Sequence, residues 1–211
     1  MKSNRSLIRR AALVAATAST ALVLAACGGG GHDMGSMQSD SPSSSSSPSA
    51  STSAPADAHN TADTAFAQEM IPHHRQAVEM AGLAATRASS AEVKDLATKI
   101  EGAQGPEIET MTGWLTAWGE PVPEEMPGMD HSAGMPGMMS TQDMASLQAA
   151  KGSEFDTMWL QMMIQHHQGA IDMAKTELSQ GSNTDAKALA QKIIDGQQSE
   201  ITEMKGLLGQ S

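Results

Sequence analysis

Apolar residues recur at intervals of three and four from residue 60 to residue 209, and no stretch alternates as a strand would. The pattern predicts four long helices. The first opens at Asn60-Thr61, the second at Ser89-Ser90 and the fourth near Asn183-Thr184, each behind a side chain able to cap the first turn. Ser153-Glu154-Phe155-Asp156 reads as a capping box for the third, and Asn60 and Asp63 hold the matching places at the first. A shorter helix over 141–150 precedes the third and ends at Gly152. Pro72 inside the first helix and Gly105-Pro106 inside the second predict kinks.

The pattern is also duplicated. Met70-Ile71-Pro72-His73-His74 returns as Met163-Ile164-Gln165-His166-His167, 93 residues later. Residues 66–115 laid over 159–208 without a gap give 20 identities in 50 positions, too many for chance. The repeat continues downstream, where Leu96-Ala97, Lys99-Ile100, Gln104, Glu107-Ile108 and Met111 recur as Leu189-Ala190, Lys192-Ile193, Gln197, Glu200-Ile201 and Met204. Such a repeat makes the unit a helical hairpin. Two hairpins packed on each other predict an all-α fold, an antiparallel four-helix bundle.

At about 100° per residue, Phe66, Met70, His74, Ala77 and Ala81 share one stripe, flanked by His73 and Met80. Trp159, Met163, His167, Ala170, Ala174, His166 and Met173 repeat it, while Glu79 and Asp172 face water. On the second and fourth helices the apolar stripes carry Gln104 and Glu107, and Gln197 and Glu200. A core-facing glutamate is costly unless paired, and the four histidines are the partners at hand. Met70 with His74, Met163 with His167 and Met162 with His166 are four apart, so thioether and imidazole lie on one helix face. Mixed Met/His donors favour soft or borderline ions, copper foremost, with other transition metals as alternatives. A simpler arrangement has the glutamates holding protonated histidines and the methionines filling the core.

Composition narrows the rest. Aromatic residues are 2% of the chain and Tyr is absent, so Leu, Ile, Ala and Met must fill the core. Residues 1–26 read as an export signal, with Lys2, Arg5, Arg9 and Arg10 before an apolar run too short to span a bilayer. That run ends in Leu24-Ala25-Ala26-Cys27, which resembles a bacterial lipobox and makes Cys27 a lipidation site on the extracytoplasmic face of the cell membrane. It is the only cysteine, which excludes an internal disulfide and a thiolate metal site. Residues 27–59 are rich in Ser, Pro and Gly, and read as a disordered tether. Removing the signal leaves 9 Lys and Arg against 24 Asp and Glu, a net charge of −15, which argues against nucleic acid as a partner. Residues 60–211 form the folded domain, large enough for one core.

Between the hairpins, over 120–140, lies a Met-rich loop. Met126, Met129, His131, Met135, Met138 and Met139 stand among Gly and Pro, where a core helix cannot form and methionine has no packing role. A flexible loop of thioethers would bind ions weakly and independently of pH. The histidine sites would weaken as pH falls through about 6.5. His32-Asp33-Met34-Gly35-Ser36-Met37 repeats the idea within the tether.

The double Met-Ile-x-His-His, with Leu-Ala-x-x-Ile and Gln-x-x-Glu-Ile-x-x-Met after it, resembles the bacterial family called domain of unknown function 305. The resemblance covers about residues 60–209. It implies a ferritin-like bundle, usually exported, with copper binding and tolerance in some members. Its pattern falls on Met70, His73, His74 and Met80, and on Met163, His166, His167 and Met173 of this chain. The expectation is a lipid-anchored, non-enzymatic copper binder that sequesters Cu(I) or Ag(I) or passes it to a delivery protein, with Glu107 and Glu200 supporting the site. The alternatives are a di-metal oxidase on the same fold, although neither copy has Glu-x-x-His, and a structural surface lipoprotein without metal.

Overall fold

The computed structural model describes residues 58–124 and 134–209. The signal, Cys27, the tether up to residue 57, Met126, Met129 and His131 lie outside the described residues. Ala58 and His59 of the expected tether are held against the bundle, the His59 ring stacked on Trp118 at 4.4 Å. Four long helices and one short one account for most of the described chain, and no strand occurs among the described residues: α1 Thr61–Arg87, α2 Ala91–Trp118, α3 Thr141–Ala149, α4 Gly152–Gln180 and α5 Thr184–Leu208. The hairpins α1–α2 and α4–α5 pack chiefly through α1 against α4, while α2 and α5 touch much less. None of the described helices is long and apolar enough to cross a membrane.

Local signals set most helix ends. Asn60, Ser90 and Asn183 cap α1, α2 and α5 through their side chains, and Asn60 and Asp63 form a capping box. Ser140 and Asp143 form another that opens α3. The box predicted at Ser153 is not there. Lys151 precedes α4 with no side-chain cap, and Gly152, at φ 65°, is the first helical residue. Asp156 is engaged elsewhere, as described below. The short helix ends at Ala149 rather than at Gly152, and α1 and α2 run on through Pro72 and Pro106.

The aspartates join the two hairpins. Asp156 Oδ2 accepts the backbone N–H of Ser90 at 2.9 Å, and its carboxylate also takes the N–H and hydroxyl of Ser89. Asp63, 93 residues earlier, accepts from Ser182 N at 3.0 Å and from Asn183 N at 2.9 Å. Each hairpin thus holds the turn of the other, and the start of α1 meets the end of α4 while the start of α4 meets the end of α1. The two central helices therefore run antiparallel, related by an approximate two-fold axis. Trp159 Nε1 donates to the Met80 carbonyl at 2.9 Å and clamps the same pair.

Two apolar clusters fill the interior. One contains Met80, Leu96, Ile100, Phe155, Trp159, Met163 and Met204, and is covered by Met139, Met144 and Leu147. The other contains Phe66, Met70, Met111, Leu115, Met173 and Ile193. Each fully buried large side chain among these contributes about 1.5–3 kcal/mol. Between the clusters run the histidines, Gln104, Gln197 and the two core glutamates.

One buried acid has no counterpart in the first copy, where its place is taken by Ala84. Glu177 is 1% exposed and lies beside Asp63. Burial, then the nearby Asp63 carboxylate, push its carboxyl up to about 8, with Lys187 pulling the other way. Asp63 is held below the usual carboxylate range because backbone N–H bonds outweigh its own burial. A folded value raised above 4.5 means that the stability it brings is full below 4.5 and is lost as pH rises through 8. Glu177→Gln, which keeps a proton donor toward Asp63 at every pH, is expected to raise stability at pH 9 by about 1–3 kcal/mol. Thermal melts should show no gain at pH 5, and an alkaline loss unchanged from the wild type would refute the raised value of Glu177.

Candidate metal centre

His73 and His74 on α1 and His166 and His167 on α4 are all fully buried where the two helices cross. Adjacent histidines on a helix point about 100° apart, so each pair reaches in two directions. His73 and His166 face each other across the axis, with ring centroids 3.8 Å apart and planes at 42°. His74 and His167 turn outward to α2 and α5. His74 Nε2 donates to Glu107 Oε2 at 3.0 Å, and His167 Nε2 donates to Glu200 Oε2 at 2.8 Å. The pairing of core glutamate with histidine expected from the duplication is present in both halves.

The hydrogen bonds fix which nitrogen is free. A carboxylate or carbonyl oxygen can only accept, so Nε2 carries the proton wherever it makes such a bond. That holds for His74, for His167 and for His73, whose Nε2 meets the Pro136 carbonyl at 3.1 Å. Nδ1 of all three has no hydrogen-bond partner, and neither does either ring nitrogen of His166. Four buried imidazoles with unpartnered nitrogens are an unusual cost for a fold to carry. A neutral imidazole nitrogen is also the form that a copper ion requires.

Burial favours the neutral form of His73, His74 and His166. Burial pushes His73 down to about 3, assisted by the neighbouring His74 and His167 and opposed by the Pro136 bond. His166 is driven well below the ordinary range by burial and then by His73, His167 and His74. His74 is also lowered, because burial outweighs Glu107. The weakening near pH 6.5 expected for an ordinary histidine therefore does not apply to His73, His74 and His166. Glu107 is held below its usual value, the bonds from His74 and Lys192 overcoming its burial.

The methionines divide between the two sides of this layer, Met80 and Met163 in one cluster and Met70 and Met173 in the other. All four are buried. Among the described residues no three His, Cys, Asp or Glu side chains converge on one point. Outside the histidines, α2 and α5 leave an open cleft of about 490 Å³ lined by Gln104, Glu107, Lys192, Gln197 and Glu200. Lys192 Nζ lies 3.3 Å from Glu107 Oε1, whereas Lys99, at the equivalent position, pairs with Glu203. The halves are thus unequal at the cleft.

Met135, Met138 and Met139 are not the exposed thioethers that their Gly/Pro setting suggested. Met135 and Met138 are half-buried, and Met139, 4% exposed, packs in the core. The reason is docking: Gln76 donates from Nε2 to the Met139 carbonyl at 2.9 Å and accepts its N–H at 2.7 Å. Arg75 and Gln68 bind the carbonyls of Pro123 and Pro121 at 2.8 and 2.9 Å. The sequence did not reveal the Pro136 contact, Gln76 or Glu177 as parts of this architecture. The one available signal was that Gln76 and Ala84 are changed to Gly169 and Glu177 across the repeat.

The profile of the domain of unknown function DUF305 matches residues 63–208. The chain belongs to this family. Among solved structures, a DUF305 protein from Streptomyces coelicolor is 36% identical with a TM-score of 0.65, covering 74% of this chain and 95% of its own. A DUF305 fragment from Deinococcus radiodurans is 31% identical with a TM-score of 0.65, covering 72% and 98%. CopM in its Cu(II)-bound form is 34% identical with a TM-score of 0.62, covering 70% and 96%, and CopM also has Cu(I)-bound and Ag-bound structures. No curated protein matches the chain.

Proposed function

We propose that the bundle is a copper-binding protein that takes Cu(I), with Ag(I) as its mimic, at the histidine layer. The carrying observation is the set of buried imidazoles whose Nδ1 atoms have no partner while Nε2 is held by an oxygen. Glu107, Glu200 and the Pro136 carbonyl would fix the rings, and Met70, Met80, Met163 and Met173 supply soft donors on either side of the layer. CopM, similar over most of this domain, is known with copper and silver bound. The carboxylates are engaged from outside by histidine and Lys192, which suits an orienting role better than the carboxylate cage of a di-metal oxidase.

The placement we propose is extracytoplasmic, with Cys27 lipidated, residues 27–57 as tether and the role one of sequestration or transfer in metal tolerance. The Streptomyces neighbour carries a provisional description as a secreted protein. Met126, Met129, His131, Met135 and Met138 would add capacity beside the bundle.

Competition titration of the tag-free mature chain with Cu(I) tests the reading. Changing Met126, Met129, Met135 and Met138 to Leu should lower the number of ions bound and spare the tightest. Changing His73, His74, His166 and His167 to Gln, which can still donate to the glutamates, should abolish that tight ion. Glu107→Gln and Glu200→Gln should each weaken it about 10–100-fold. A four-histidine variant that still binds the tight ion refutes the assignment.

A further inference from the structure

We propose that residues 134–139 form a strap that positions the ion-facing nitrogen of His73, and that Gly169, Gly137 and Gln76 are the residues that seat it. This rests on the copper reading of the histidine layer. Of the three histidines with a held Nε2, two are held by carboxylates on bundle helices, and only His73 depends on the connection between the hairpins.

The seating is a backbone-on-backbone approach. Gly137 has φ 79°, and a Cβ there would lie 2.7 Å from the Gln165 carbonyl oxygen and 2.9 Å from that of His166. A Cβ on Gly169 would collide with the Pro136 carbonyl and stand 2.8 Å from Gly137 Cα. Neither position has room for a side chain, so the strap lies directly on the turn of α4 that carries His166 and His167.

The duplication shows that the grip is two-handed. Gly169 is the repeat equivalent of Gln76, 93 residues earlier. One copy binds the strap by lacking a side chain, and the other by an amide that makes both hydrogen bonds to Met139. The same site on each central helix holds the same segment, at two points on either side of Met138. Between or beside those points lie Pro136, whose carbonyl takes the His73 proton, and Met135 and Met138. The methionine-bearing segment and the buried imidazole are therefore mechanically one piece. When the strap is lifted, His73 loses the acceptor it has among the described residues and becomes free to exchange tautomers.

Long-range proton–nitrogen spectra of the imidazoles, recorded on the metal-free full chain at fixed neutral pH, test this. The wild type should show His73 protonated at Nε2, as His74 and His167 are. Gly169→Ala should remove or average the His73 pattern and leave those of His74 and His167 intact. Gly137→Ala places the clash on the strap itself and should do the same even if Gly169→Ala fails to fold. With helical content unchanged, either variant should bind Ag(I) about tenfold more weakly. Folded variants with an unaltered His73 pattern overturn the proposal, as does a wild-type His73 protonated at Nδ1. A wild-type chain that binds no Ag(I) overturns the copper reading, and the spectra alone then decide on the strap.

Discussion

The metal-free protein is expected to be most stable near pH 6.5 and to lose stability steeply as the pH falls to 4.5. His73 has a folded value near 3 against 6.5 in the unfolded chain, and His74 and His166 are shifted in the same direction. A depressed folded value gives stability that is present above 6.5 and lost as pH falls toward the folded value, since the unfolded chain takes up the protons first. His73 costs about 1.4 kcal/mol per pH unit, so two units cost about 2.7 kcal/mol, and His74 and His166 act in the same direction. Glu177 works in the opposite direction between pH 8 and 4.5, one group against three. The His73 contribution by itself is a large part of the whole stability of a domain, about 5–15 kcal/mol. An ion bound to neutral imidazole should resist this loss by mass action. On the proposed copper reading, acid would release the ion by opening the bundle rather than by protonating a standing site. Thermal melts from pH 4 to 9, with and without Ag(I), provide the measurement. A metal-free melting temperature that stays level from pH 6.5 to 4.5 would rule the account out.

Asp156→Ala should cost about 3 kcal/mol, because a buried carboxylate that accepts two backbone N–H groups and a hydroxyl is lost while those donors stay behind. Asp63→Ala removes the equivalent bonds at the other end of the bundle. Its cost should be smaller at pH 9, since the change also relieves Glu177 of a neighbouring charge. The sites are at opposite ends, so the double variant should be close to additive, at about 6 kcal/mol near pH 6.5. Urea unfolding checks both numbers. A single variant within 1 kcal/mol of the wild type would mean that water replaces the aspartate without loss.

Much of this was legible because the chain repeats itself. His74 with Glu107 and His167 with Glu200 share a spacing of 33 residues, and a helical wheel puts all four toward the interior. Two occurrences of one polar pair in one apolar stripe are hard to explain except by contact. The caps divided. Asn60-x-x-Asp63 and Ser153-x-x-Asp156 are the same local signature, yet only the first closes a box, because α4 already begins at Gly152 and Ser153 lies inside it, while Asp156 binds Ser89 and Ser90. Asp63 manages both tasks. No local pattern reports that α4 extends past its expected cap. The strap was hidden for a related reason: contact between Pro136-Gly137 and Gly169 is made by backbone, which has no periodicity to read. Met139 reads as a solvent-facing thioether because Gly and Pro surround it, while Gln76, 63 residues earlier, holds it inside.

The reciprocal aspartates also bear on how such a chain could arise. Each hairpin leaves the first turn of its own second helix uncapped by its own aspartate and offers that aspartate outward. A lone hairpin is therefore half of a mutual arrangement, and a second copy completes it about a two-fold axis, as in an isologous dimer. Joining two such copies by a connecting segment turns a concentration-dependent encounter into an intramolecular one. Once joined, the halves no longer have to match. One could keep Gln76 and Ala84 while the other took Gly169 and Glu177, and the linker itself could settle into the asymmetry and become part of the interior.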